Sequence, residues 1–220
     1  MKYKVGVSSR IIETEGYHEI RDAISHDLIK YLISKDLLPL IIPNNVNIAE
    51  RYIEDINLLI LSGGNSISKS PKLTKEEYTL SFLRDSVENI LVKKAIEKNI
   101  PIIGICRGMQ FINDFFGGTI KYLDTPHIHN SGEHNVNILN GDISFCDLKS
   151  VKVNSFHNYI VDELGKNLEA FATSNDDCIE AFRHNKLRIY GIMWHPERAC
   201  SSKNFKNYNS HLIEEILANK

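Results

Sequence analysis

Pro101-Ile-Ile-Gly-Ile-Cys-Arg-Gly-Met-Gln110 runs an apolar strand directly into the start of a helix. Pro101–Ile105 is fully apolar, as in a strand buried on both faces. Gly104-Ile-Cys106-Arg-Gly108 follows, and Met109–Phe116 has a helical pattern ended by Gly117-Gly118. This is the sulfur counterpart of the Gly-x-Ser-x-Gly nucleophile elbow. A sharp strand-to-helix turn forces its central residue into a strained conformation, and the neighbours need minimal side chains. In return the thiol of Cys106 stands above the sheet edge at a helix N-terminus, where the helix dipole stabilises negative charge. The backbone N–H of Arg107 would point where an oxyanion forms.

Upstream, short apolar runs alternate with amphipathic stretches. Lys4–Ser8, Leu38–Ile42 and Leu58–Leu61 read as strands, the last two stopped by Pro43 and by Gly63-Gly64. Asp22–Ser34 and Leu80–Lys98 read as helices. This order predicts an α/β fold of three layers, a mostly parallel sheet flanked by helices. Downstream the pattern changes. Val136–Leu139, Val151–Val153, Leu168–Thr173, Ile179–Phe182 and Ile189–Met193 are short and β-like. They predict a small antiparallel extension plus one strand returning to the centre, with Phe205–Ala218 as a closing helix. No linker or repeat interrupts the 220 residues, so a single domain over 1–220 is expected.

The returning strand carries the second chemical signal, Ile189-Tyr-Gly-Ile-Met-Trp-His195-Pro-Glu197. A histidine at the C-terminal end of a central strand lies on the same sheet edge as Cys106, where α/β sites form. Residues two apart in an extended chain point to the same side. Glu197 is thus expected to bond one ring nitrogen of His195 while the other faces sulfur, fixing the tautomer and stabilising the imidazolium.

Bulk properties narrow the function classes. Hydrophobic residues make up 42 % and charged residues 25 %, with a formal net charge of −2. These values suit a globular protein and give no basic face for nucleic acid. No apolar run is long enough for a membrane span, which takes about 18 residues. MKYKVGVSSR has no signal-peptide pattern, and the four cysteines are widely spaced, so a reducing cytoplasm is expected. Cys146, Cys178 and Cys200 read as inert. His127, His129 and His134 cluster without a cysteine or carboxylate pattern, and read as rim residues rather than zinc ligands. Ser131-Gly-Glu-His134 is expected to line a substrate cleft. Ser62 and Ser66 flank glycines, but no Gly-Lys-Ser/Thr phosphate loop follows.

Taken together, Gly104-Ile-Cys106-Arg-Gly-Met-Gln110 and Trp194-His195-Pro196-Glu197 resemble the class I glutamine amidotransferases, over nearly the whole chain. The resemblance implies a flavodoxin-like fold and a Cys106–His195–Glu197 triad acting without metal or organic cofactor. Leu61-Ser-Gly-Gly-Asn65 resembles the family's glycine turn, which implies that Gly64 supplies a second oxyanion-hole amide beside Arg107. Gln110, Ser155, His157, Asn158 and Tyr159 would contact the glutamyl moiety. Asn154-Ser-Phe-His157 is similar to the peptidase C26-like γ-glutamyl hydrolase branch, which often reads Asn-Ser-x-His-His-Gln; here Asn158-Tyr159 ends the block. The implied partner is a small γ-glutamyl substrate, with a separate ammonia-using synthase as the alternative. Arg10, Tyr17 and Arg21 follow the first strand on the same edge and read first as ordinary solvated loop residues; the alternative is that the arginines hold phosphates of a nucleotide leaving group.

Overall fold

In the computed structural model, which describes residues 3–14, 16–123, 132–139 and 149–218, the pattern resolves into alternating and then mainly β elements. The first half comprises β1 (Tyr3–Ser8), β2 (Arg10–Glu13), β3 (Ile20–Ala23), α1 (His26–Ser34), β4 (Leu37–Ile42), α2 (Ala49–Ile53), β5 (Leu58–Leu61), α3 (Lys75–Glu97), β6 (Ile102–Ile105) and α4 (Arg107–Phe115). The second comprises β7 (Thr119–Tyr122), β8 (Gly132–Ile138), β9 (Ser150–Ser155), β10 (Tyr159–Glu163), β11 (Leu168–Ser174), β12 (Ile179–His184), β13 (Ile189–Ile192) and α5 (Lys203–Ala218).

The main sheet runs β4-β1-β5-β6-β13-β12-β11-β8-β9. Pairing is parallel from β4 to β13, as the apolar runs predicted, and antiparallel from β13 onward. β13 is the returning strand, with Gly191 opposite Gly104 and Ile192 opposite Ile105. Helices cover both faces. Leu28 of α1 and Leu212 and Ile213 of α5 line one small cavity with Ile60, Ile103 and Ile192. On the other face α4 approaches closely enough that a Cβ on Gly191 would lie 2.7 Å from Met109 Cγ. No described helix is long and apolar enough to cross a membrane.

Three sequence readings change. The helix expected from Asp22 begins at His26, because Ser25 caps it by accepting the Asp27 N–H at 3.2 Å. Asp22 instead ends the β2–β3 hairpin, where its carboxylate accepts the Asn44 backbone N–H at 3.1 Å. The helix expected from Leu80 begins at Lys75, set by a capping box in which Thr74 and Glu77 accept each other's backbone N–H. Its first turns escaped periodicity because Tyr78, Phe82 and Leu83 face solvent. β7 and β10 were not foreseen; each is short and half-buried, and they pair mainly with each other.

A buried ion cluster underlies the site. Arg84 and Glu88, one turn apart on α3, are fully buried, and Arg107 at the start of α4 is 1 % exposed. Glu88 accepts hydrogen bonds from Arg84 Nε at 3.0 Å, from Ser8 Oγ at 2.7 Å and from Arg107. Arg107 also bonds Asp85. Arg84 spends its remaining donors on the carbonyls of Ser62, Gly63 and Gly64. Burial alone would push the Glu88 carboxyl up, but the charges of Arg107 and Arg84 outweigh it and hold it below its ordinary value. Removing one member of a buried pair leaves an uncompensated charge, which costs about 3–5 kcal/mol. Glu88→Gln is therefore expected to destabilise the chain by about that amount in urea denaturation; a shift within about 0.5 kcal/mol would show that the cluster does not anchor the turn. Gly108→Ala is expected to cost about 3 kcal/mol by the same measurement, since its Cβ would lie 2.1 Å from the Leu61 carbonyl oxygen.

Candidate active site

Cys106 caps α4 with φ 51° and ψ −104°, the strained geometry expected of an elbow. The two flanking glycines are sterically required. A Cβ on Gly104 would stand 2.5 Å from the Gly108 carbonyl carbon, and Gly108 packs against Leu61 at the end of β5. Cys106 N–H donates to the Ile192 carbonyl at 2.8 Å, tying the turn to the end of β13.

Three residues beyond Ile192 the chain delivers His195, buried, with its ring against both Cys106 and Gly63. A Cβ on Gly63 would lie 2.7 Å from His195 Cε1 and 3.7 Å from Cys106 Cβ. His195 Nδ1 and Glu197 Oε1 are 2.7 Å apart, and both side chains are 4 % exposed. Burial alone would lower the proton affinity of this ring. Hydrogen bonds to Cys106 and Glu197, reinforced by their charges, outweigh it and raise the pKa from 6.5 to about 9. The structure therefore brings together, in line, the three side chains expected from the two strand ends. The arrangement can hold an imidazolium beside sulfur and orient it through one carboxylate oxygen.

A cleft of about 200 Å³ opens beside Cys106. Gly64, Arg107, Gln110, His157, Asn158 and Tyr159 line it together with Phe156, His195 and Arg198. Arg107 has its guanidinium in the ion cluster, so what it presents at the helix start is backbone; N–H groups of a first turn have no partner within the helix. Gly64 adopts φ 83°, and its carbonyl is held by Arg84. Gln110 donates to the Tyr159 carbonyl at 3.1 Å, and Tyr159 donates its hydroxyl to the Pro71 carbonyl at 2.6 Å. Ser155 is fully buried and does not line the cleft.

Several placements differ from the sequence reading. His134 is not a rim residue: β8 buries it, with Nε2 3.4 Å from Glu180 Oε1, and His157 Nε2 approaches the same oxygen at 3.6 Å. The carboxylate comes from β12, more than forty residues downstream, where no local pattern could announce it. Glu133 bonds Ser201 rather than the cleft, since β8 turns it toward the segment before α5. His127, His129, Ser131 and Cys146 lie outside the described residues. Among the described residues no group of three His, Cys, Asp or Glu is arranged to hold a metal. Burial pushes the Cys178 thiol up to about 11 and raises that of Cys200. Ser62 donates its hydroxyl to the Ser8 carbonyl at 2.6 Å and so turns into the core. Arg21 is engaged by Glu19 at 2.8 Å and by Tyr17 within the hairpin, while Arg10 reaches the recess beside His195.

Three residues at the site were missed. Asn154 clamps the histidine backbone, accepting the His195 N–H and donating to its carbonyl, both at 2.8 Å. Phe156 lies edge-on to His195 with ring centroids 6.0 Å apart, and Arg198 stacks over Phe156 at 4.6 Å. Asn154 and Phe156 were visible in the Asn154–His157 block, and Arg198 directly follows Glu197, but nothing local ranked them.

Comparison with known proteins supplies the family. The Peptidase C26 family model matches residues 5–197. The chain is 34 % identical over 207 residues to a γ-glutamyl-CDP-amidate hydrolase of Campylobacter jejuni, covering 92 % of this chain and 94 % of that one. It is 32 % identical to a glutamine-hydrolysing GMP synthase subunit of Methanosphaera stadtmanae, covering 90 % and 96 %. A glutamine amidotransferase crystal structure from Thermotoga maritima shares the fold with a TM-score of 0.65 at 16 % identity, covering 98 % of this chain and 86 % of that one. A match across most of the chain, on a sheet of this order, establishes that the protein belongs to the peptidase C26 family and is a hydrolytic enzyme of the glutamine-amidotransferase-like type.

Proposed function

We propose that this chain hydrolyses a γ-glutamyl amide through Cys106, His195 and Glu197. The observation that carries the reading is the histidine held between the sulfur of a strained turn and a buried carboxylate. Cys106 thiolate attacks the γ-carbonyl carbon, and the backbone amides of Gly64 and Arg107 hold the oxyanion. Losing one such donor typically costs about 10²–10³ in rate. The C–N bond breaks as the leaving nitrogen takes the His195 proton. A glutamyl thioester then remains on Cys106. Water attacks it while His195 accepts a water proton, L-glutamate departs and the thiolate returns. Gln110, His157, Asn158 and Tyr159 receive the glutamyl head, with Ser155 as support beneath them. Likeness to the Campylobacter enzyme favours an amidate leaving group, released from γ-glutamyl-CDP-amidate as cytidine diphosphoramidate. A thiol nucleophile suits the reducing cytoplasm, the location this reading implies.

A second reading is a glutaminase that passes ammonia to a separate synthase, favoured by the likeness to the glutamine-hydrolysing GMP synthase component. Comparing kcat/KM for glutamine, simple γ-glutamyl amines and nucleotide-linked γ-glutamyl amidates separates the two. The first reading expects the isolated chain to prefer an amine or amidate substrate. A strong preference for glutamine that depends on another protein selects the second.

Cys106→Ala is expected to lower kcat/KM by about 10³-fold or more with the thermal midpoint preserved, and wild-type turnover in that variant would end the mechanism. The pH dependence follows from His195. Its raised pKa keeps the ring charged, and its contribution to stability intact, below 6.5; both are lost as pH rises through about 9. The alkaline limb of kcat/KM is therefore expected near pH 9. Glu197→Gln removes one raising partner and is expected to move that limb to lower pH; an unmoved limb would deny Glu197 this part.

A further inference from the structure

Two guanidinium side chains that the hydrolytic steps leave unused share a recess with His195. Arg10 and Arg198 line one recess with His195, Gly63 and one carboxylate, that of Glu197, which His195 engages through Nδ1. Arg10 arrives from the start of β2 along the backbone of Gly64, where an added Cβ would lie 2.8 Å from Arg10 Cδ and 3.2 Å from Nη1. Its Nε is buried without a hydrogen-bond partner, and among the described residues no carboxylate pairs with the guanidinium. Arg198 follows His195 by three residues. Its N–H closes a turn on the His195 carbonyl at 3.1 Å, and its Nε is 3.9 Å from Glu197 Oε1, too long for a hydrogen bond. Beneath it lies Phe156, 45 % exposed although large and apolar.

The position of His195 decides what these groups meet. The leaving nitrogen must reach the imidazole to take its proton. Whatever that nitrogen carries is then met by the groups beside His195, of which Arg198 and Phe156 also border the cleft that holds Gln110 and Tyr159. Ammonia or a simple amine would gain nothing from two positive charges there. Phosphate oxygens match guanidinium forks, and an exposed ring is a stacking face for a planar base. We infer that Arg10, Arg198 and Phe156 form a leaving-group subsite for a nucleoside diphosphate joined through its terminal phosphate to the scissile nitrogen, the guanidiniums on the phosphates and the ring against the base. This rests on the hydrolase reading above and adds the groups that select its substrate.

Calorimetric titration of the full-length Cys106→Ala protein with cytidine diphosphate, inorganic pyrophosphate and cytidine tests the subsite directly. The diphosphate is expected to bind most tightly and cytidine most weakly. Arg10→Met and Arg198→Met, each added to that background, should weaken cytidine diphosphate and pyrophosphate about tenfold, with Arg→Lys retaining part of the affinity. Phe156→Leu should weaken cytidine diphosphate while sparing pyrophosphate. Absence of diphosphate binding, or affinities unmoved by either arginine change, would overturn the subsite. So would an Arg198→Met protein that loses L-glutamate binding by the same factor, since Arg198 would then serve the glutamyl head. Hydrolysis of γ-glutamyl-p-nitroanilide by the unaltered chain, whose leaving group carries no phosphate, reports on the hydrolase reading separately. Cleavage without diphosphate binding removes the subsite alone. Diphosphate binding that responds to the three variants, with cleavage of neither γ-glutamyl-p-nitroanilide nor a nucleotide-linked γ-glutamyl amidate, supports the subsite and removes the hydrolase.

Discussion

At Cys106 the chain leaves β6 and enters α4 with no slack, and the rest of the site is arranged around that crossing. The left-handed φ of a non-glycine residue costs about 1–3 kcal/mol and persists only where its surroundings impose it. Here the surroundings are close contacts of backbone on backbone: Gly108 against the Leu61 carbonyl, and Gly104 against Gly108. The helix is therefore pressed onto the C-terminal ends of β5 and β6. Its first-turn amides and the glycine turn after β5 then face one point above the sheet. The parallel register of β13 with β6 delivers the histidine to that same point, because Ile192 is level with Ile105. A slip of one residue would turn the strand's side chains to the opposite face.

Such a crossing needs support from below. Arg84 ties the three carbonyls of Ser62, Gly63 and Gly64 to α3, while Glu88 ties α3 to the first residue of α4 and to Ser8 of β1. A glycine turn is conformationally free, so a buried guanidinium with several fixed acceptors restricts what glycine alone leaves open. Asn154 performs the corresponding task for the histidine, matching both backbone groups of His195 with one amide. The histidine is thus held by its main chain, and its ring is left to Cys106 and Glu197. The raised pKa follows, since a buried ring would otherwise lose its proton more easily than in water.

Much of this was legible along the chain. The parallel half followed from apolar runs alternating with amphipathic stretches, and β13 from one more such run ending in His-Pro-Glu. The start of α3 hid behind exposed aromatics, although the capping residues Thr74 and Glu77 were there to be seen. The end of β3 was absorbed into a helix because Asp22 and Ala23 suit either state. β7 and β10 are weakly amphipathic and form chiefly because each finds the other.

Along the chain one can read the elbow, the strand that carries His195 and the same-side placement of His195 and Glu197. Those signals depend on spacing within a few residues: small neighbours around a strained position, and same-side placement two apart. Only the packing of distant elements put Arg84 and Glu88 beneath the glycine turn, Glu180 near both His134 and His157, and Arg10 in one recess with His195 and Arg198. These groups come from elements far apart in the chain. Their burial, charge balance and hydrogen bonds exist only once the sheet order has made those elements neighbours.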